Sequence, residues 1–256
     1  MSWNPFSRSS SSAPKKAVLS RTSQRDFERE VKRLDELEEL TRRLYKDGKR
    51  LTEANNAVAK SERKLSQELL STALCQTEEK FKWQINEWDS SMIRMDMHMT
   101  DRNVKLHRTV LEPLKKYVSI FPYAQVAVKK RDQCLQEFQK CQDKVSKYQE
   151  RDRTGQNAVK LDMAKKTLGT AQADFTSQND ALMVDVPKMI DTRTDYFQPS
   201  LEADIKSEVQ YTTEAVKVYG ELSNLMNGHK QQSRHDYASL IQQALTELKA
   251  LSITTD

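Results

Sequence analysis

The sequence predicts an all-α chain of three long, kinked, antiparallel helices packed as a coiled-coil-like bundle. Three observations carry this. Glycine and proline are scarce, 5 and 6 in 256 residues, so few turns are available. Apolar residues recur every seven positions over long stretches, the period of helices that wind around one another. Charged residues make up 31% of the chain, interleaved with apolar ones at the 3–4 spacing of amphipathic helices. No internal linker is visible. One elongated domain over 25–228 is therefore expected, between an N-terminal arm (1–24) and a tail (229–256).

The arm, MSWNPFSRSSSSAPKKAVLSRTSQ, is Ser-rich and basic, and alone it cannot bury enough apolar surface to fold. Its aromatic residues Trp3 and Phe6 stand beside the bases Arg8, Lys15 and Lys16. Two readings fit: a disordered tail, or an arm drawn to anionic headgroups whose aromatics enter the membrane interface. No apolar run is long enough to span a membrane, and the N-terminus lacks a secretory h-region.

The first long helix is expected over about 25–72, starting near Ser23 with Asp26 three residues on. Leu37, Leu44, Leu51, Val58 and Leu65 recur by seven, with Phe27, Val31, Leu34, Leu40 and Ala54 beside them. The break falls around Ser71 to Thr77. The second helix, about 77–152, restarts at Thr77 as N-cap, with Glu78 and Glu79 suiting the dipole. Its stripe runs Ile85, Trp88, Met92, Met95, Met99, Leu106, Val110, Leu114, Tyr117, Phe121, Ala124, Val128, Leu135, Phe138 and Val145. At a rise of about 1.5 Å per residue this is a rod on the order of 90 Å long. Pro113 and Pro122 should each bend it, because each removes a donor and crowds the preceding turn. The methionines, with Trp83 and Trp88, are best read as packing.

The third helix, about 156–227, is capped by Thr154 or Asn157. Leu161, Leu168, Phe175, Leu182, Met189 and Tyr196 again recur by seven, and the stripe goes on through Leu201, Ile205, Val209, Val216 and Tyr219. Pro187 and Pro199 should kink its second half. Asn227-Gly228 reads as a stop. In the tail, Leu240, Ile241, Ala244, Leu245, Leu248 and Leu251 make a short amphipathic helix over about 236–251. It suits docking back on the helical body or binding a partner.

Charge is unevenly distributed. Residues 1–25 carry five bases and no acid, 129–166 carry 11 bases against six acids, and 167–226 carry four bases against ten acids. The chain is locally polarised, unlike a general nucleic-acid binder, and no nucleic-acid partner is expected. Lys129, Lys140, Lys144, Lys147 and Arg151 fall within about 60° of one another on a helix, a narrow basic stripe. Val128, Leu135, Phe138 and Val145 lie on roughly the other side. The turn Arg151-Asp-Arg-Thr-Gly155 adds Arg153, and Lys130, Lys160, Lys165 and Lys166 flank it. This surface is expected to meet something anionic.

Catalytic chemistry is not legible. There is no Gly-rich phosphate loop, HExxH, CxxC or Gly-x-Ser-x-Gly, and the four histidines are scattered. No cofactor, metal or enzymatic activity is expected. Cys134 and Cys141 are about 10 Å apart along a helix, too far for a disulfide. Three cysteines without metal spacing suggest a reducing, cytoplasmic setting.

Several segments carry a family resemblance: Arg25-Asp-Phe-Glu-Arg-Glu30, Leu37-Glu-Glu-Leu-Thr-Arg-Arg-Leu44, Leu111-Glu-Pro-Leu-Lys-Lys-Tyr117, Ala127-Val-Lys-Lys-Arg131 and Asp195-Tyr-Phe-Gln-Pro-Ser200. With three kinked helices and a basic tip, the sequence resembles the BAR domains of the amphiphysin/Rvs class over nearly its whole length. The resemblance implies a crescent-shaped homodimer with a six-helix core, pairing with itself or with a related chain. It implies a concave face that binds anionic phospholipid membranes and senses or generates curvature, linked to endocytosis, actin organisation and cytokinesis. The membrane-binding residues it implies are Lys129, Lys130, Lys140, Lys144, Lys147, Arg151 and Arg153, with Lys160, Lys165 and Lys166. The expected location is cytoplasmic, peripheral at membranes and cytoskeleton. The alternative is a cytoskeletal adaptor, a dimeric platform for actin-linked proteins with weak lipid binding. The arm is poorly amphipathic, and acids (Asp132, Glu137, Asp143, Glu150, Asp152) flank the stripe, which lowers its field.

Overall fold

A 50-residue helix, α1 (Arg21–Leu70), opens the computed structural model, which describes residues 19–226, 234–251 and 253. It starts two residues before the expected Ser23, because Ser20 takes the capping role: the Ser23 backbone N–H donates to Ser20 Oγ at 3.0 Å. The expected break contains a short helix, α2 (Ala73–Thr77), capped by Thr72. Thr77 is not the N-cap of the next helix. Its hydroxyl donates back to the carbonyls of Ala73 and Leu74, so α3 (Glu79–Leu106) begins after Glu78 with no side-chain cap.

The expected long rod is divided. A π-helical turn, His107–Leu111, precedes α4 (Glu112–Val118), and α5 (Phe121–Gln149) follows a bend at Ser119 and Ile120. Pro113 and Pro122 each sit in the first turn of the helix they open. A proline there loses no helical hydrogen bond. The wide turn before Pro113 gives its ring room against the carbonyl four residues back. Next come α6 (Gly155–Asp191) and α7 (Arg193–Met226), separated at Thr192, with Pro187 inside the first and Pro199 inside the second. Thr154 is the cap of α6, accepting from the Asn157 N–H. α8 (Arg234–Lys249) lies in the tail. The stop expected at Asn227-Gly228 lies outside the described residues.

The chain forms two compact units. The first joins the described residues up to Lys49 with Arg108–Glu202. Its core packs Phe27 and Leu34 of α1 with Tyr117, Phe121 and Val128, and with Leu182, Val186 and Ile190 of α6. Phe138, Cys141, Ala171 and Phe175 continue it along α5 and α6. Tyr117 is held at its hydroxyl, which donates to the Met189 carbonyl at 3.2 Å, and it meets Phe121 and Phe197 edge-on. Gly48 makes room for a buried side chain: a Cβ there would lie 2.6 Å from Leu111 Cδ2.

The second unit joins Arg50–His107 with the described residues from Ala203 onward. Its core cluster is Met92 and Met95 of α3 with Val218 of α7, backed by Trp88, Tyr211 and Ala215, and Ala59, Cys75, Ile85, Met99 and Leu106 are buried in the same unit. Polar contacts add to it. Asn55 Nδ2 donates to Asn103 Oδ1 at 3.0 Å, and Asn103 Nδ2 donates to Asn56 Oδ1 at 2.9 Å. Arg102 pairs with Glu208 and lies over the Tyr211 ring.

The heptad leucines of α1 behave differently from the heptads of α3 and α5. The residues of α1 that turn into the chain are Phe27, Glu30, Leu34, Thr41, Ala59 and Ser66. Leu44, Leu51, Val58 and Leu65 are between 41% and 57% exposed. In α7, Ser207 and Val218 are buried while Leu201, Ile205, Val209, Val216 and Tyr219 are exposed. Trp83, expected to pack, is exposed too, one and two heptads from Ser90 and Met97 on an outward stripe that ends at Val104.

Candidate anion-binding surface

Helix α5 positions the basic residues by dividing its circumference. Phe121, Val128, Phe138, Cys141 and Val145 turn inward. Lys129, Lys130, Lys140, Lys144 and Lys147 are all exposed. In a supercoiled helix, residues seven apart keep the same bearing. Lys140 and Lys147 share one such row; Lys130, Lys144 and Arg151 share its neighbour. The basic face therefore persists along the helix rather than spiralling into the core.

The turn Glu150–Thr154 joins α5 to α6 and is internally held. The Thr154 N–H donates to the Asp152 carbonyl at 2.8 Å, and Asn157 Nδ2 donates to the same oxygen at 2.8 Å. Arg151 lies over the Tyr148 ring, 5.2 Å from its centroid. These contacts hold Arg151 and Arg153 at the end of the helix pair. With Lys165, Tyr148 and Asn157 they line an open groove of about 610 Å³, which Asp152 and Asp162 also border. Lys160 and Lys166 are exposed on α6 outside that groove.

Neighbouring acids neutralise less of this surface than their number suggests. Lys140 meets Glu137 at 3.7 Å and Lys166 meets Asp162 at 3.5 Å, both long exposed pairs. Such pairs contribute little and yield readily to another anion. Asp132 is engaged by Arg131 at 3.0 Å. Among the described residues, Lys129, Lys130, Lys144, Lys147, Arg153, Lys160 and Lys165 make no ion pair within 4.0 Å. The proposed arm residues Trp3, Phe6, Arg8, Lys15 and Lys16 lie outside the described residues.

Arg131 is the basic residue that does not belong to the surface. Its side chain is wholly buried. Nε and Nη2 both donate to Asn179 Oδ1, at 3.2 and 3.1 Å, and Nη2 also donates to Gln24 Oε1 at 3.1 Å. Its guanidinium lies 3.9 Å from the Phe27 centroid and 5.0 Å from that of Phe175. It thus ties α1, α5 and α6 together directly beneath Lys129 and Lys130. The heptad pattern gives the signal, since Arg131, Phe138 and Val145 are seven apart on the inward row. Below the stripe, burial pushes the Cys141 thiol above its ordinary pKa, with the Glu137 carboxylate adding to the effect. That thiol is therefore a poor nucleophile at neutral pH.

The BAR domain family model matches residues 5–227. The chain is 41% identical to bridging integrator 3 of Mus musculus over 258 residues, covering 100% of both chains. It is 26% identical to the reduced viability upon starvation protein 161 of Saccharomyces cerevisiae over 271 residues, covering 99% of this chain and 98% of that one. It is 30% identical to the regulator of cytoskeleton and endocytosis RVS161 of Candida albicans over 152 residues, 57% of this chain and 56% of that one. Among solved structures, the amphiphysin BAR domain from Drosophila superposes with a TM-score of 0.68 at 19% identity, covering 84% of this chain and 96% of that one.

Proposed function

The chain belongs to the BAR domain family, and from that premise we propose that it is a homodimeric, non-catalytic scaffold that lays a basic face on anionic membranes and senses or generates their curvature. The observation that carries this reading is the cluster of exposed cations on adjoining rows of α5, from Lys129 to Arg151, continued by Arg153 and Lys165. A basic residue near an anionic bilayer contributes about 1 kcal/mol. Several per chain, doubled in a dimer, suffice for reversible binding, weakened by salt as screening requires. Among the described residues no helix is long and apolar enough to cross a membrane, so the contact is peripheral.

The outward stripes of the second unit support the dimer. All three of its long helices carry one: Leu51, Val58 and Leu65 on α1; Trp83, Met97 and Val104 on α3; Ile205, Val209, Val216 and Tyr219 on α7. Three parallel apolar seams on one small unit exceed what a lone soluble chain leaves in water. A second copy, or a related chain with the same seams, would bury them as a six-helix core.

Co-sedimentation with phosphatidylserine-containing vesicles, small and large, at low and physiological salt, tests the reading. Lys140→Glu with Lys147→Glu should lower binding at least tenfold at low salt, as four reversed charges per dimer at about 1 kcal/mol each require, and leave the dimer intact. Unchanged binding would make the stripe a solvated face only. The name of the Candida albicans relative, a regulator of cytoskeleton and endocytosis, favours a second reading, a cytoskeletal adaptor, for which we propose actin-linked proteins as the partners. Pelleting with F-actin, with and without vesicles, separates the two.

A further inference from the structure

The basic rows of α5 are interrupted at their start by apolar side chains. The row that holds Lys140 and Lys147 begins, two heptads before Lys140, at Val126. The row that holds Lys130 and Lys144 begins, one heptad before Lys130, at Tyr123. Tyr123 is 78% exposed and Val126 is 65% exposed; Ile120, at the bend before α5, is 45% exposed. Because residues seven apart keep their bearing in a supercoiled helix, Tyr123 and Val126 face the same way as the lysines. The bend at Ser119 and Ile120 lifts the patch at a helix junction, with exposed Lys115 and Lys116 before it and Lys129 and Lys130 after it. From Pro113 to Lys130 the sequence contains four lysines and no acid.

Resting on the membrane reading above, we infer that Tyr123, Val126 and Ile120 form a shallow apolar insertion point in the basic face, whose partner is the interfacial region of an anionic bilayer. The surrounding charge selects the occupant. Along α4 and α5 the patch's neighbours in sequence are four lysines, which attract a sheet of anionic headgroups; Asp35 and Glu38 of α1 border it in space and are engaged by Gln125 Nε2 at 2.6 and 3.4 Å. Three side chains are too few for a stable protein interface, which takes some 20–30 residues a side. They are enough to enter the boundary between headgroups and acyl chains, where a tyrosine keeps its hydroxyl wet and its ring dry. Charge would bring the face to the bilayer, and the patch would hold it once there. The two contributions differ in one observable: salt screens the lysines and leaves apolar burial in place.

The test compares Tyr123→Ser with Val126→Ser against Lys140→Glu with Lys147→Glu in the full chain, on phosphatidylserine-containing and pure phosphatidylcholine vesicles at low and high salt. Both serine positions are exposed, so the thermal melt should be unchanged. The unsubstituted protein should keep a salt-resistant fraction bound to the anionic vesicles, and the serine variant should lose it, with binding about tenfold weaker at high salt. The charge variant should lose the salt-sensitive fraction instead. A Tyr123→Trp protein should gain fluorescence that vesicles with brominated acyl chains quench. Equal binding of the serine variant and the unsubstituted protein at both salts would overturn the inference and leave the membrane reading standing. Loss of self-association by the serine variant without vesicles would make the patch an interface between copies, and would also overturn it. Failure of the unsubstituted protein to bind either vesicle would defeat the membrane reading itself.

Discussion

Arg131 spends its charge on order inside the first unit. Its three hydrogen-bonding neighbours and two aromatic faces come from α1, α5 and α6. A lysine offers one point charge where the planar fork is used on two sides. Arg131→Lys should therefore cost about 2 kcal/mol in urea unfolding, and Arg131→Ala about 3 kcal/mol, because the alanine also leaves Asn179 Oδ1 and Gln24 Oε1 without their donor beside a void. A cost below about 0.5 kcal/mol for either would mean that the site relaxes freely. Gly48 is the complementary case, where a side chain is excluded. Alanine would raise helix propensity by about 1 kcal/mol but would push on buried Leu111 at 2.6 Å. Overpacking of that kind costs about 1–3 kcal/mol, so Gly48→Ala should be net destabilising by about 1 kcal/mol. The same change combined with Leu111→Ala should cost less than the sum of the two, read from a double-mutant cycle. Neither role is visible in composition. A basic residue within Lys-Lys-Arg reads as surface, and one glycine in a 50-residue helix reads as a defect; their neighbours in space decide otherwise.

At the scale of elements, α1 carries two stripes side by side. The inward one is Phe27, Leu34, Thr41, Gly48, Asn55 and then Ala59 and Ser66; the outward one is Leu44, Leu51, Val58 and Leu65, while the first leucine of that heptad, Leu37, packs on the core. Periodicity reveals that a face packs, not against which chain, so the leucine repeat was legible while its destination was not. Phe27 and Leu34 of the inward stripe were legible as apolar; beyond them it was hidden, because Thr41, Gly48, Asn55 and Ser66 are small or polar residues that no hydropathy pattern marks. Those residues set register. The amide of buried Asn103 pairs with those of Asn55 and Asn56, and a slip by one heptad would strand Asn103, at about 1–3 kcal/mol for an unpaired buried group. The long helices and their stripes on α3, α5 and α6 could be read directly from the sequence. The divisions of the rod could not be placed, because a proline announces a bend without saying whether the helix kinks through it or ends ahead of it. Of the candidate surface, the exposed lysines were legible from their spacing. Tyr123 and Val126 were not, since two apolar residues in an amphipathic helix are ordinarily assigned inward.

For the whole molecule, the polarity of charge and the outward seams divide the work. The first unit displays the cations and the second displays the apolar stripes. Charge reversal on the cations should leave self-association intact, whereas breaking a seam should lower vesicle binding only through loss of the proposed dimer. Val58→Asp places a carboxylate in the middle of an outward seam without touching an inward contact. Sedimentation equilibrium at micromolar concentration should then report a monomer with its helical content retained. Vesicle binding should fall with it, because half the cations leave each particle. A Val58→Asp protein that still forms a dimer would remove the α1 seam from the interface.

The outward leucine stripe also affects how this chain is made and kept. A folded copy that meets no other presents water with rows of bare Leu, Ile and Val. It is then poorly stabilised, and its melting temperature should climb with protein concentration, since association binds only the native form. In the proposed dimer, assembly is the last step of folding and is second order in chain. Once paired, the same rows make separation slow, so two pools of the protein mixed after synthesis should exchange partners far more slowly than two mixed during it.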